Sequence, residues 1–287
     1  MFKNKTFIIL LIFNLYMDTY EIDGHKLIKK DAIKALNEIP DNSIKLIFVD
    51  PPYNIGKDFN GYKEKWDSDE HYLKWCEKWI ELCIQKLTDD GSIYLMGATQ
   101  FIPYFDLILR DKMNIMSRIV WHYDSSGVQA KKYFGSLYEP NLFAVKNKYK
   151  YIFNSNDILV EAKTGAKRKL IDYRCKVPKP YNTKKIPGNV WYFPRVRFRM
   201  PEYEEHPSQK PEVLLKRIIL ASSNKGDLIL DPFSGTFTTS AVAMKLERKS
   251  IGIEFNEGYF QVGIKRLEDI KKNMNINKQS TIGNYND

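Results

Sequence analysis

The run "IKLIFVDPPYNIG", Ile44 to Gly56, constrains the fold more than any other part of the chain. Its apolar half shows no alternation, so both faces of the strand must be covered, as in a parallel sheet between two helical layers. Pro51 and Pro52 cannot donate to a ladder, so the strand must stop at them. Asp50-Pro51-Pro52-Tyr53 is thereby fixed as a rigid lip at a strand's carboxyl end, where open α/β sheets bind their ligands.

The flanking sequence extends this strand into a βαβ unit. "DAIKALNEIPDNS" reads as a short amphipathic helix stopped by Pro40 and Asp41-Asn42. "DEHYLKWCEKWIELCIQKL" places Leu73, Cys76, Trp79, Ile80, Cys83 and Leu87 at helical spacing, and "GSIYLMGA" is the next strand. A second set of units lies near the end. "PEVLLKRIILASS" is helical, and "GDLILDPFSGTFTTSAVAMKLERKSIGIEFN" reads as strand, glycine-containing turn, helix and strand. Right-handed crossovers would join the parallel pairs. "IVWHYD" and "EPNLFAVKN" add strands between the halves. The fold class expected is α/β, a doubly wound, mostly parallel sheet of seven strands with an irregular basic insert.

Charge locates that insert. The chain has 287 residues and a formal net charge of +10. Between 161 and 200 twelve Lys and Arg face two acids, Glu161 and Asp172. Pro178, Pro180, Pro187 and Pro194 alternate there with Tyr173, Tyr181, Trp191 and Phe193. Clustered cations attract a polyanion and aromatics stack on bases, so the segment suits nucleic acid; a packed irregular subdomain is compatible with the same residues. The boundaries expected are a catalytic half over 17–155, a recognition insert over 156–206, a cofactor-binding half over 207–272 and a polar tail over 273–287. The apolar stretch Thr6 to Met17 looks like the start of a signal peptide, but it is too short to span a bilayer, no small-residue cleavage site follows it, and Met17 stands just before a plausible domain start; residues 1–16 therefore read as a non-native or dispensable extension rather than a secretion signal. Cys76, Cys83 and Cys175 form no CxxC pair, so neither a metal nor a disulfide framework is expected, and a reducing cytoplasm fits.

In "DPFSGTFTTSAVA" a strand ends at Asp231, Gly235 lets a ligand approach the backbone, and a helix N-terminus follows. About twenty residues on, Glu254 ends the next strand, where an acid can accept both hydroxyls of a ribose. Together, "DPPY" and "DPFSGT" resemble the catalytic and cofactor motifs of the S-adenosylmethionine-dependent DNA amino-methyltransferases, and their order resembles the beta class. "KKDAIKALNEIPDNSIKLIFVDPPYNIG", "SRIVWHYDSSGVQAKKYFGSLYEP", "PGNVWYFPRVR" and "HPSQKPEVLLKRIILASSNKGDLILDPFSGT" are similar to short, solitary bacterial adenine methyltransferases.

The resemblance implies S-adenosylmethionine as cofactor and double-stranded DNA as partner, with no metal and with a homodimer as a further implication. Asp31, with Ala32 beside it, would bind the cofactor's adenine and Glu254 its ribose. Asp231, Pro232 and the turn Phe233-Ser234-Gly235-Thr236 would face its methionine part, near Ser208 and Lys210. Asp50, Pro51, Pro52 and Tyr53 would form the reaction centre for a flipped-out adenine. From position alone, the loop Asp124 to Gly127 after His122 and Tyr123 is a candidate border of that centre, and a satisfied loop histidine is an equal reading of His122. Lys184 and Lys185 would hold phosphates and Arg195, Arg197 or Arg199 would read base edges, at a short palindrome such as ATGCAT. Phe237 departs from the pattern by standing where the family has a second glycine; it is expected to point into the core. N4-cytosine methylation, and a non-catalytic DNA-binding regulator that kept the fold, remain as alternatives.

Overall fold

The computed structural model describes residues 18–59, 62–123, 131–163, 168–174 and 176–283. The expected extension over 1–16, the loop 124–127 and Cys175 lie outside these residues. Nine strands form the main sheet: β1 (Thr19–Ile22), β2 (His25–Lys29), β3 (Ile44–Val49), β4 (Leu87–Met96), β5 (Asn114–His122), β6 (Tyr138–Val145), β7 (Val190–Tyr192), β8 (Leu228–Asp231) and β9 (Lys249–Glu254). Their spatial order is β1-β2-β9-β8-β3-β4-β6-β5-β7. Pairing is parallel from β2 through β4, antiparallel on both sides of β6, and parallel again between β5 and β7.

The expected seven strands are thus exceeded by two, one at each edge. β1 folds back on β2 through Asp23 and Gly24, both at positive φ. β7 comes from the basic insert: Val190, Trp191 and Tyr192 pair with Val120, Trp121 and His122. Three residues among prolines carry no readable period, but the Trp191 and Phe193 side chains are buried, and that burial holds them in the sheet.

Helices cover both faces. On one lie α1 (Ala32–Glu38), α2 (Asp69–Lys86) and α3 (Ile102–Lys112), packed through Leu36, Trp79, Cys83, Phe105 and Leu109. Asp31 and Ser68 cap α1 and α2 by accepting from the Lys34 and His71 N–H groups, which satisfies donors left open at a helix start. On the other face lie α4 (Glu212–Ser222) and α5 (Thr238–Lys245), packed through Leu215, Ile218, Ile219 and Val242. A final helix, α6 (Glu257–Gly283), packs Phe260, Ile264 and Leu267 beside β1 and β2. The polar tail expected from 273 therefore continues a helix as far as Gly283. Among the described residues no helix is long and apolar enough to cross a membrane.

β3 and β8 lie side by side at the centre, and the chain leaves them in opposite directions, toward β4 and toward β9. Such a switch point opens a crevice at the carboxyl ends of the strands. Asp50 follows β3, Asp231 ends β8 and Glu254 ends β9, so three acids from distant parts of the chain meet at one edge.

Phe237 sits at the start of α5 with φ 57, a left-handed conformation natural to glycine. It points into the core, as expected, and is fully buried. A left-handed bulky residue costs about 1–3 kcal/mol, and burying a phenylalanine side chain returns about 1.5–3 kcal/mol, so the two nearly cancel. Two glycines make room for the ring: a Cβ at Gly252 would lie 2.6 Å from it, and one at Gly263 closer still. Alanine inside a helix ordinarily gains about 1 kcal/mol over glycine. At Gly263 the overpacking should win, so Gly263→Ala is expected to lose about 1–3 kcal/mol in chemical denaturation. The loss should shrink in a Phe237→Leu background; equal losses in both would show that the ring is not the obstacle.

Candidate active site

A cleft of about 530 Å³ opens above the switch point, within the usual range for small-molecule sites. Its lining includes Asp31, Ala32, Asp50, Pro51, Pro52, Tyr53, Arg195, Ser208, Lys210, Pro232, Phe233, Gly235 and Glu254. Most of the residues that the sequence marks therefore converge on one space, though they come from both halves of the chain and from the insert.

The lip at Asp50 is built as its prolines require. β3 ends at Val49, and the Pro52 carbonyl accepts from the buried Tyr72 hydroxyl at 2.7 Å. Among the described residues no donor bonds the Pro51 carbonyl, which leaves it as an open acceptor beside Asp50. Asn54 and Gly56, both at positive φ, turn the chain back, and the buried Glu64 carboxylate accepts from the Tyr53 N–H at 3.1 Å. Lys57 reaches across the cleft to the Pro207 carbonyl at 2.7 Å.

Four polar side chains meet at the centre. The Tyr53 hydroxyl donates to Asp50 Oδ1 at 2.6 Å and lies 3.1 Å from Glu139 Oε2. Lys210 Nζ lies 2.5 Å from Asp50 Oδ2 and 3.4 Å from Glu139 Oε2. Burial pushes the Asp50 carboxyl above the ordinary carboxylate range; the Lys210 ammonium pulls it back only in part, and Glu139 adds repulsion. Burial alone would lower Lys210, but the two carboxylates outweigh it and hold the ammonium above its ordinary value. Tyr53 is raised well above the usual phenol, first by burial and then by the same two carboxylates. Lys210 lines the cleft with Ser208, and its ammonium is paired with Asp50 and Glu139.

The turn after β8 divides the expected residues. Gly235, at φ +50, lines the cleft, and a Cβ there would lie 3.1 Å from His206 Nε2. Its N–H donates to Glu254 Oε2 at 2.9 Å, and the Asn256 N–H donates to Oε1 at 2.8 Å, so the acid is fixed at the rim. Burial raises Glu254 to about 7. Asp231 is turned inward instead. It accepts from the Phe233 N–H at 3.1 Å and from the Thr239 hydroxyl at 2.5 Å, and burial raises it to about 7. Ser234 donates its hydroxyl to the Asp231 carbonyl at 2.9 Å. Asp231, Ser234 and Thr236 border a small adjoining cavity that shares Asp50, Lys210 and Gly235 with the main cleft.

The insert also divides. Arg195 follows β7, lines the cleft and stacks on Tyr123, 5.1 Å from the ring centroid. Arg197 and Arg199 are exposed outside the cleft, with Arg199 at φ 71 over Phe198. Lys184 and Lys185 are exposed on a two-residue ladder with Glu161 and Val160. Glu139, Glu64, Lys57, His206 and Tyr259 line the same cleft and were not marked by the sequence. The signal for Glu139 was a lone acid opening the apolar run "EPNLFAVKN". Among the described residues no group of side chains is arranged to hold a metal ion.

Residues 44–265 match a family model described as DNA methylase, covering N6 and N4 enzymes. The chain is 57% identical over 246 residues to the DNA adenine methyltransferase YhdJ of Escherichia coli K12, covering 86% of this chain and 83% of that protein. It is 35% identical over 245 residues to the type II methyltransferase M.HpaI of Haemophilus parainfluenzae, covering 85% and 74%. Among solved structures, the complex of M1.HpyAVI with SAM superposes with a TM-score of 0.57 at 24% identity, over 84% of this chain and 98% of that one. The cytosine-N4-specific PvuII DNA methyltransferase superposes with a TM-score of 0.66 at 17% identity, over 88% and 92%. With its catalytic lip, its glycine turn and its rim acid gathered on the switch point of this sheet, the chain belongs to the N6/N4 DNA methylase family.

Proposed function

We propose that the protein transfers a methyl group from S-adenosylmethionine to N6 of an adenine flipped out of double-stranded DNA. The observation that carries this reading is that Asp50 and Pro51 line one cleft together with the rim acid Glu254; the Asp50 carboxylate and the Pro51 carbonyl would be the two acceptors. The amino group of adenine is a poor nucleophile, because its lone pair is delocalised into the ring. Two fixed acceptors draw on its two N–H groups and favour a tetrahedral nitrogen. Prolines hold the second acceptor in place at little entropic cost.

The cleft suits the cofactor. Glu254 stands at the rim with its oxygens oriented by two backbone N–H groups, and it would hold the ribose. Asp31 and Ala32 border the same space and would meet the adenine, while Gly235 allows close approach. Phe233 and Trp75, with ring centroids 5.7 Å apart, form an apolar wall. The cofactor would supply a methyl group on a sulfonium, already a strong electrophile, so the protein's task is mainly placement.

A base inside a duplex cannot reach this floor and must be turned out. Tyr53 would stack on it, and stacking is worth roughly 1–3 kcal/mol per base. Tyr123 and Arg195 would flank it. The exposed lysines and arginines of the insert would hold the duplex, and exposed aromatics such as Phe134 and Phe198 lie on the same molecule's surface.

Labelled cofactor and bacterial DNA, followed by digestion to nucleosides, should yield label in N6-methyladenine. Label only in N4-methylcytosine, or none, would overturn the reading. Asp50→Ala should lower turnover by roughly 10²–10⁴-fold, with cofactor binding by calorimetry close to wild type, because Asp50 makes none of the rim contacts.

The split within the insert makes a second set of expectations. Arg195→Ala should lower turnover with little effect on overall DNA affinity. Lys184→Ala should weaken binding to all sequences alike and flatten the salt dependence. Methylation profiling should show relaxed sequence choice for Arg197→Ala or Arg199→Ala if either reads a base, at roughly 1–3 kcal/mol per lost contact.

A further inference from the structure

Asp50 is not idle in this structure. Tyr53 holds one of its oxygens and Lys210 the other, at 2.6 and 2.5 Å. Each oxygen keeps a spare lone pair, but an oxygen shared with an ammonium pulls weakly on an amino N–H. For Asp50 to act at full strength, both donors must loosen. Neither can simply let go. Lys210 has a side chain only 7% exposed, and a buried charge left without a partner is strongly destabilising. A buried hydroxyl without an acceptor also costs free energy.

Glu139 resolves this conflict. Its Oε2 lies 3.1 Å from the Tyr53 hydroxyl and 3.4 Å from Lys210 Nζ. A shift of less than an ångström would pass either donor from one carboxylate to the other. Glu139 itself is held firmly: it lies on β6 and pairs in register with Trp121, whose indole donates to the Phe193 carbonyl at 2.9 Å. We propose that Glu139 is an exchange acceptor, taking over Tyr53 and Lys210 when a target amino group takes Asp50. This rests on the adenine reading above. It makes Glu139 a positioning residue, because it acts through Tyr53 and Lys210 and not on the base.

Charge follows the same logic. Two carboxylates face one ammonium, so Lys210 is shared between Asp50 and Glu139 and does not neutralise Asp50 alone. Other ionisable groups act on it too. Glu64 stands behind Tyr53, Tyr72 beneath Pro52 and Asp231 at the end of β8. Tyr123 and Arg195 flank Glu139 on the open side, and Lys57 and His206 lie near Lys210. Removing the Glu139 charge takes away repulsion and strengthens Lys210's hold on Asp50, so the Asp50 carboxyl becomes more acidic. Removing Lys210 does the reverse.

The test uses the full chain and a duplex that the wild-type protein methylates, with ATGCAT as the first probe. With S-adenosylhomocysteine present, binding is compared for duplexes carrying adenine or purine, which lacks the amino group, at the target position. Wild type should prefer adenine by tenfold or more, since a hydrogen bond to a charged group is at stake. Glu139→Gln should reduce that preference at least threefold while binding the purine duplex as wild type does. Its turnover should fall, and the acid limb of its pH profile should move to lower pH; Lys210→Met should move the limb to higher pH. An unchanged adenine preference and an unmoved limb in Glu139→Gln would overturn the inference, as would equal weakening on both duplexes. If Glu139→Gln melts early, Glu139→Asp serves instead, and should restore part of the preference. Wild-type protein that itself shows no adenine preference and no methyl transfer would instead sink the adenine reading.

Discussion

A single buried ammonium organises the working edge of this molecule. Lys210 needs carboxylates around it, because taking an ion out of water costs several kcal/mol unless a partner and good geometry repay it. Its partners come from two other parts of the chain: Asp50 from the end of β3 and Glu139 from β6. The segment before α4 must therefore cross the open edge of the sheet to reach them. The same crossing brings His206 against Gly235 and the Pro207 carbonyl within reach of Lys57. One charge thus joins the strand that carries the lip, the strand that carries Glu139 and the turn beside the rim acid. The cleft is not a gap left between well-packed halves; it is held to shape by this pairing.

The parts of the fold that sequence conveys well are those where a residue type allows only one answer. Pro51 and Pro52 have no N–H, so the end of β3 was readable to within one residue: it stops at Val49, just short of Asp50. "IKLIFV" could only be buried on both faces, which put it at the middle of the sheet. Phe237 was too large and apolar to face a polar ligand, and it lies in the core. Longer-range choices were less legible. β7 is three residues in a proline-rich stretch with no period to read. The β1–β2 hairpin and the helix α3, with Pro103 in its first turn, left weak patterns in short windows.

The site shows the same division. Backbone-determined roles, the lip and the glycine turn, were visible in single motifs. Side-chain roles that depend on what another segment brings were not. Nothing local in "HPSQKP" says whether the lysine ammonium turns toward a cofactor or toward Asp50; that is decided by two carboxylates far away in sequence. Asp231 likewise looked like a ligand contact, yet with a turn N–H and the Thr239 hydroxyl available beside it, the carboxylate closes on its own turn. Arg195 looked equivalent to Arg197 and Arg199 by spacing, but it alone follows directly on an edge strand that aims it at Tyr123.

That edge strand sets where one protein of this kind could be recombined with another. The basic insert carries the surface proposed to meet DNA, yet its last part is a structural member of the catalytic sheet. Val190 to Tyr192 run beside Val120 to His122, the Trp121 indole is tied to the Phe193 carbonyl, and the Arg217 guanidinium lies 4.5 Å from the Phe193 ring centroid. A chimera cut at 206 would import a foreign edge strand along with foreign recognition residues, and the wall holding Tyr123 and Glu139 would shift with it. A cut just ahead of Gly188 would leave the host's own strand in place. Arg197 and Arg199 would stay with the host under that cut, so the seam that spares the sheet separates them from Lys184 and Lys185.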